Sequence, residues 1–393
     1  MDILVNFKQN LSLPRHSWFN IKEGYSSLLV SNIIDELNIT DKDLVLDPFS
    51  GSGTTVLHCA LNNIESIGIE VNPFLHFLSK NKSLNFKKSL KEIRKSIVNI
   101  DLSESYEEPL LSISKKLFGG QLKQVLQLKK YISNINDIKV KNFLHTAFLC
   151  SLDSCSYAKK DGNGLRYPKN KKPKDIILEF NQNAYSMLDD IEKTCTLRTP
   201  RIINNNTLKE ITKKSFKKQY SNKLSLIMFS PPYANCFDYT EVYKTELWFG
   251  DFIKNYSELK VLRNKSMSSH LNKDFANIKS IELINYINKL INKKLWSKKI
   301  IPMLNNYFVE FELLLENLYD LLKKEKYCII VVGNSSYGNC VIPTDIIITK
   351  IATRIGYSSA KINVVRKLGT SSQQYKKVDK PDLLRESIIY LQK

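Results

Sequence analysis

Residues 44–55, Leu-Val-Leu-Asp-Pro-Phe-Ser-Gly-Ser-Gly-Thr-Thr, constrain the fold of this chain more than any other stretch. Three apolar residues run into Asp47, a small-residue turn carries Gly51 and Gly53, and a helical pattern opens at Thr54 and Thr55. That order describes a buried parallel strand, a tight loop where a ligand can approach the backbone, and a helix N-terminus. A second apolar run, Leu224 to Phe229, ends in Ser230-Pro231-Pro232-Tyr233.

Around these motifs the pattern alternates. Tyr25 to Leu37 reads as an amphipathic helix, Ser66 to Glu70 as a second strand, and Pro73 as the entrance of the next helix. Near-continuous apolar strands alternating with helices argue for a parallel sheet covered on both faces. Residues 86–198 then turn mostly helical, as in Leu122, Val125, Leu126 and Phe143, Leu144, Phe148, with a polar, basic loop from Lys159 to Lys174. Strands resume at Arg201-Ile202-Ile203, Leu224 to Phe229, Tyr327 to Val332, Lys361 to Val365 and Ser387 to Leu391. The last two are expected to form an antiparallel hairpin on the sheet edge. The chain thus divides into a sheet domain, 1–85 and 199–393, and a helical insertion, 86–198, as a candidate target-recognition region. Residues 251–300, polar around Arg263 to Asp274, form a second candidate recognition segment.

Lys and Arg number 59 against 39 Asp and Glu, a formal net charge of +20. Such a surplus favours a polyanionic partner, through counterion release at each neutralised phosphate, although lysine-coated surfaces also arise from lysine-rich coding. No run approaches the roughly 18 apolar residues of a membrane span, and no secretion signal opens the chain. The seven cysteines contain no Cys-x-x-Cys pair and no accompanying histidine cluster. No metal site is expected, and scattered thiols suit a cytoplasmic protein.

In an open α/β sheet, ligands bind beyond the carboxyl ends of the strands. Glu70 stands at such an end, 23 residues after Asp47, where an acid can accept hydrogen bonds from a ribose. The turn lacks the third glycine of a dinucleotide fingerprint and the lysine of a P-loop, so phosphates fit poorly. The Asp-Pro-Phe-x-Gly-x-Gly-Thr run with that acid resembles the S-adenosylmethionine site of class I methyltransferases. The resemblance implies a Rossmann-like, mostly parallel sheet, with Asp47, Pro48, Phe49, Ser50, Gly51, Gly53, Thr54 and Glu70 at the cofactor. Asn206 stands where the family often has an acid near the adenine ring. Trp18 to Ile34 is placed like the family's N-terminal cofactor motif, and Gly333-Asn334-Ser335 like a later loop lining the target pocket.

Ser230-Pro231-Pro232-Tyr233 resembles the catalytic motif of the DNA amino-methyltransferases, which methylate the exocyclic amine of a base. A base amine is a poor nucleophile because its lone pair is delocalised into the ring. Accepting its hydrogens on the Ser230 oxygen and the Pro231 carbonyl would aim that lone pair at the methyl group. Two prolines hold the acceptors rigid, and Tyr233 offers a ring on which an extruded base can stack. No Pro-Cys pair ends this strand, which disfavours covalent chemistry at cytosine carbon-5.

Donor motif before catalytic motif excludes the permuted order, and Ser at the first position resembles the cytosine-N4 enzymes more than the adenine-N6 enzymes. The implied partner is double-stranded DNA, with a cognate restriction endonuclease and a restriction–modification or phage-defence setting. Lys159, Lys160, Arg166, Lys171 and Lys172 are candidate phosphate contacts, with Arg166 or Asn163 reaching base edges. A guanine-amine methyltransferase acting on structured RNA, or a non-catalytic nucleic-acid-binding subunit, are the rival readings.

Overall fold

The computed structural model describes residues 4–104, 111–162, 164–194, 197–369 and 378–393. Seven strands build the central sheet: β1 (Leu44–Asp47), β2 (Glu65–Glu70), β5 (Arg201–Asn204), β6 (Leu224–Phe229), β7 (Leu322–Gly333), β10 (Ser359–Lys367) and β11 (Arg385–Gln392). Two small antiparallel pairs stand apart, β3 (Lys159–Asp161) with β4 (Gly164–Arg166), and β8 (Ser335–Tyr337) with β9 (Cys340–Ile342).

The sheet runs β10-β11-β7-β6-β1-β2-β5. β1 pairs in parallel with both β2 and β6, β2 with β5, and β6 with β7, while β11 is antiparallel to both neighbours. This is the class I methyltransferase arrangement, Rossmann-like and mostly parallel. From β1 the chain builds outward on one side through β2 and β5, then returns to the other side with β6. The crevice beyond β1 and β6 is therefore the topological switch point of the sheet. Both motifs end there, with Leu46 paired to Ile227.

The sheet is covered on both faces because its strands alternate only between two buried sides. Val45, Leu226, Met228, Ile329 and Val331 pack with Leu29, Val30, Ile33 and Ile34 of helix Ser27–Glu36. Leu46, Ile227, Phe229, Cys328, Ile330 and Val332 face the long helix Ile300–Leu321.

One sequence expectation holds and one changes. The closing strands form the expected antiparallel pair at one edge of the sheet, with β11 between β7 and β10 and β10 outermost. Composition explains the order. β11 is buried along most of its length through Ile388, Ile389 and Leu391, whereas β10 carries Lys361, Arg366 and Lys367, and a charged strand protects an open edge. The basic loop expected from Lys159 is instead partly ordered, as the β3–β4 hairpin.

Helices Leu122–Ser133, Ile138–Cys155 and Ile176–Lys193 form the bulk of the insertion. Their core is continuous with Phe74, Leu75 and Leu78 behind β2, and with Val242, Tyr243, Leu247 and Phe249 after the second motif. The insertion therefore packs directly on the elements that follow the catalytic-type loop. No helix among the described residues is long and apolar enough to cross a membrane.

Candidate active site

Asp47 ends β1 only 1% exposed. Its Oδ1 accepts the Phe49 N–H at 3.1 Å, and its Oδ2 accepts the Tyr25 hydroxyl at 3.2 Å. Tyr25 in turn meets Thr55 Oγ1. Burial pushes the Asp47 carboxyl up to about 7. The loop is pinned to β2 by the Ser50 N–H on the Ile69 carbonyl at 3.0 Å. Gly53 has φ +88°, and a Cβ there would lie 2.4 Å from Ser79 Oγ and 3.2 Å from Ser79 Cα. Only glycine lets the helix after the loop pack that closely on helix Pro73–Lys82.

Glu70 closes β2 with both oxygens engaged once: Oε2 accepts the Gly51 N–H and Oε1 the Asn72 N–H, each at 2.8 Å. Burial pushes its carboxyl up to about 7 as well. Asn72 caps helix Pro73–Lys82 through its side-chain oxygen, while its Nδ2 is buried and has no hydrogen-bond partner among the described residues.

A narrow cavity of about 100 Å³ opens over this loop, walled by Phe49, Gly51, Glu70, Asn72, Ser230 and Pro232. A wider one of about 350 Å³ adjoins it, and Ile21, Glu23 and Ser230 line both. Of the nine residues expected at the cofactor, Phe49, Gly51, Glu70 and Asn206 line the narrow cavity; Asp47, Pro48, Ser50, Gly53 and Thr54 stand behind it. Asn206 spends its side chain locally, capping Lys209 N–H at 2.8 Å and donating to the Lys265 carbonyl at 2.6 Å.

At the end of β6, Ser230 Oγ lies 3.3 Å from the Tyr233 hydroxyl, which donates to Glu386 Oε1 at 2.6 Å. Arg366 Nε holds the other Glu386 oxygen at 2.5 Å. Glu386 is 2% exposed on β11, so the interior position of that strand carries a carboxylate to the catalytic-type loop. The Tyr233 ring lies against Gly333, where a Cβ would come within 2.9 Å of it. Two carboxylate-facing contacts and burial raise the Tyr233 hydroxyl well above its ordinary range, burial first.

A cover that the motifs did not reveal closes the narrow cavity. Asp238, Tyr239, Thr240, Ser266, Met267, Ser269 and His270 line it from above. Asp238 accepts from Arg263 Nε at 3.1 Å and Asn272 Nδ2 at 2.9 Å, which ties the two halves of this cover together. Burial works to raise the Asp238 carboxyl, but His270, Thr240, Asn272 and Arg263 hold it below the usual range. His270 is 2% exposed, with Nδ1 3.9 Å from Asp238, and neither ring nitrogen has a hydrogen-bond partner among the described residues. Burial lowers its pKa below the ordinary histidine range, against the pull of Asp238. Glu386, Asn72 and His270 carry no local sequence signal; each is recognised only by what it faces.

The five basic residues expected at phosphates are in different situations. Lys159, Arg166 and Lys172 are exposed, and Arg166 pairs with Asp161 at 3.1 Å. Lys160 instead points inward, 6% exposed, ion-paired with the fully buried Glu246 and set over the rings of Phe19 and Tyr243 at 4.7 and 5.0 Å. Lys171 is half-buried and donates to the carbonyls of Asp153 and Ala158. These two side chains hold the hairpin region together. Asn163 lies outside the described residues. Among the described residues no group of three or more His, Cys, Asp or Glu can hold a metal ion.

The strand order and the two strand-end loops at one switch point are those of the class I methyltransferase fold. Known proteins agree. The family model described as DNA methylase matches residues 23–81. The type II methyltransferase M.BsoBI of Geobacillus stearothermophilus is 28% identical, across 99% of this chain and 88% of its own. The type II methyltransferase M.AvaI of Nostoc sp. is 26% identical, across 94% and 85%. The rRNA methyltransferase aviRa of Streptomyces viridochromogenes covers 98% of this chain and 92% of its own at 10% identity, with a TM-score of 0.37, too low to bear on the fold. The chain is thus similar to type II DNA methyltransferases along nearly its whole length, and to the DNA methylase family over residues 23–81.

Proposed function

We propose that this protein transfers a methyl group from S-adenosylmethionine to the exocyclic amine of a base extruded from duplex DNA, cytosine N4 being the acceptor. The observation that carries the reading is that Ser230 and Pro232 wall the same cavity as Gly51 and Glu70. The residues present suit the donor. Each Glu70 oxygen receives one backbone N–H and keeps a lone pair for a ribose hydroxyl, Asn72 Nδ2 lacks a partner among the described residues, and Ile69, Val71 and Phe49 offer flat apolar wall. When bound, the donor supplies an electrophilic methyl group on a sulfonium.

The chain's part is to orient the amine through its hydrogens; the proton is lost to water once the nitrogen has taken the methyl group. The single proton of the Tyr233 hydroxyl goes to Glu386, so the Tyr233 oxygen can only accept from Ser230. The Ser230 proton is thereby committed, and its lone pairs are left for the amine hydrogens. The rigid Pro231 carbonyl is the second acceptor. Pyramidalising the amine in this way returns its lone pair to the nitrogen, and positioning supplies most of the acceleration. Asp47 organises the loop from behind, through Phe49 and Tyr25, rather than meeting the donor directly.

Ser230 in the first motif position supports cytosine. The names of the relatives, type II methyltransferases, support a restriction–modification setting with a cognate endonuclease, in the cytoplasm where the DNA lies. The residues of 86–198 and 251–300, packed beside the crevice, are the proposed recognition regions. Incubation with methyl-labelled donor and mixed-sequence duplex DNA, followed by nucleoside analysis, should yield N4-methylcytosine. N6-methyladenine would change the acceptor, and label confined to RNA would overturn the reading.

A further inference from the structure

Between Glu282 and Glu310 the chain holds no acidic residue, and residues 292–299 read Asn-Lys-Lys-Leu-Trp-Ser-Lys-Lys. Lys293, Lys294, Lys298 and Lys299 are exposed, and Trp296 among them is 67% exposed. An indole left in solvent inside a lysine cluster is costly, and it is the composition of a nucleic-acid contact rather than of a solvated loop.

Position gives the segment its meaning. Leu295 packs against the core that includes Tyr337 and Cys340, which anchors the segment beside the β8–β9 hairpin. A Cβ on Gly338 at the hairpin tip would meet Lys293 Cβ at 2.8 Å. The same hairpin reaches the catalytic-type loop, where the Tyr337 hydroxyl donates to the Ala234 carbonyl at 2.7 Å. On its other side, Lys299 Nζ donates to the Leu271 carbonyl at 3.2 Å, next to the cavity residue His270. The cluster is therefore clamped between two elements that border the crevice.

We propose that residues 292–299 are a duplex-DNA contact beside the target base, with Lys293, Lys294 and Lys298 on phosphates and the Trp296 indole buried against the nucleic acid. This rests on the DNA-methylation reading and adds to it the surface that grips the substrate. Charge complementarity fits a polyanion, and the large apolar ring fits a duplex whose stack is opened by base extrusion.

The protein carries its own probe. Trp18 and Trp248 are 7% and 3% exposed, so acrylamide quenching of the full-length protein reports chiefly on Trp296. Adding a duplex that contains a site mapped by the protein's own methyl marks should protect that fluorescence; the Trp296→Phe variant should lack the protected component. Substituting Lys293, Lys294 and Lys298 by Gln should lower the slope of log affinity against log salt by about 2 to 3, with donor affinity unchanged. If the wild-type protein methylates DNA while Trp296 stays fully quenchable, or the slope is unchanged, this surface is refuted and the methylation reading stands. If structured RNA protects Trp296 and duplex DNA does not, the DNA assignment of the surface falls. If no DNA is methylated at all, the underlying reading falls instead.

Discussion

Replacing Lys160 by alanine separates two roles for the same side chain. As a phosphate contact, its loss would weaken DNA binding and leave the fold alone. In the structure its ammonium is 6% exposed and paired with Glu246, which is fully buried, with one carboxylate oxygen otherwise unpartnered. Removing the lysine strands that carboxylate in an apolar site among Phe19 and Tyr243. Breaking a buried pair from one side costs about 3–5 kcal/mol. The hairpin β3–β4 would also lose its tether to helix Lys244–Phe249. Urea unfolding should show the midpoint fall at constant slope. Replacing both partners, Lys160→Met with Glu246→Leu, should recover most of the loss, since an apolar pair of similar volume needs no desolvation of charge. The salt dependence of DNA binding should not change in the double variant. A Lys160→Ala variant within about 0.5 kcal/mol of the parent, combined with a salt slope lower by about 0.9, would refute the buried-pair argument.

Asp47 and Glu70 are both pushed up to about 7 when folded, above their ordinary carboxylate range. The folded state then holds protons that the unfolded chain releases near pH 4. Their contribution to stability is greatest at acid pH and declines as pH rises from about 4 to about 7, by on the order of 4 kcal/mol each. Donor binding to the ionised Glu70 should run the opposite way, tightening as pH rises through about 7; calorimetry on wild type and Glu70→Ala tests this, and an equal pH slope in both would contradict it. Tyr233→Phe and Glu386→Gln should each lower turnover about 10–1000-fold with donor affinity nearly intact, and the double variant should be no worse than the poorer single. Additive losses would mean that Ser230 is not oriented through this chain. Gly53→Ala forces a left-handed residue and a clash with the Ser79 backbone, so it should destabilise by about 1–3 kcal/mol in urea titration.

Much of the fold could be read along the chain. The apolar runs ending in Asp47, Glu70 and Phe229 became β1, β2 and β6 with nearly the expected bounds, because a strand buried on both faces has a composition of its own. The site was legible only at its strand ends. Glu386 lies 153 residues beyond Tyr233 and no spacing rule connects them. Lys160 looks like its neighbour Lys159, and only the alternation of β3 turns one inward and the other to solvent. Asp47 is legible as the strand-end acid, but that its oxygens accept from Phe49 and Tyr25 is set by the turn and by a distant segment.

The sequence by itself determined the strand–loop–helix units, the acid that closes β2 and the Ser-Pro-Pro-Tyr loop that ends β6, because each follows from local backbone chemistry over a few residues. The tertiary structure alone decided which polar groups meet. β11 entered the sheet interior because its apolar faces needed two neighbours, and it brought Glu386 to Tyr233. The cover over the cavity closed because Asp238 joined Arg263 and Asn272 across a long connection. Hydrogen-bond partners in a buried crevice are chosen by geometry between distant segments, and no local pattern encodes that choice.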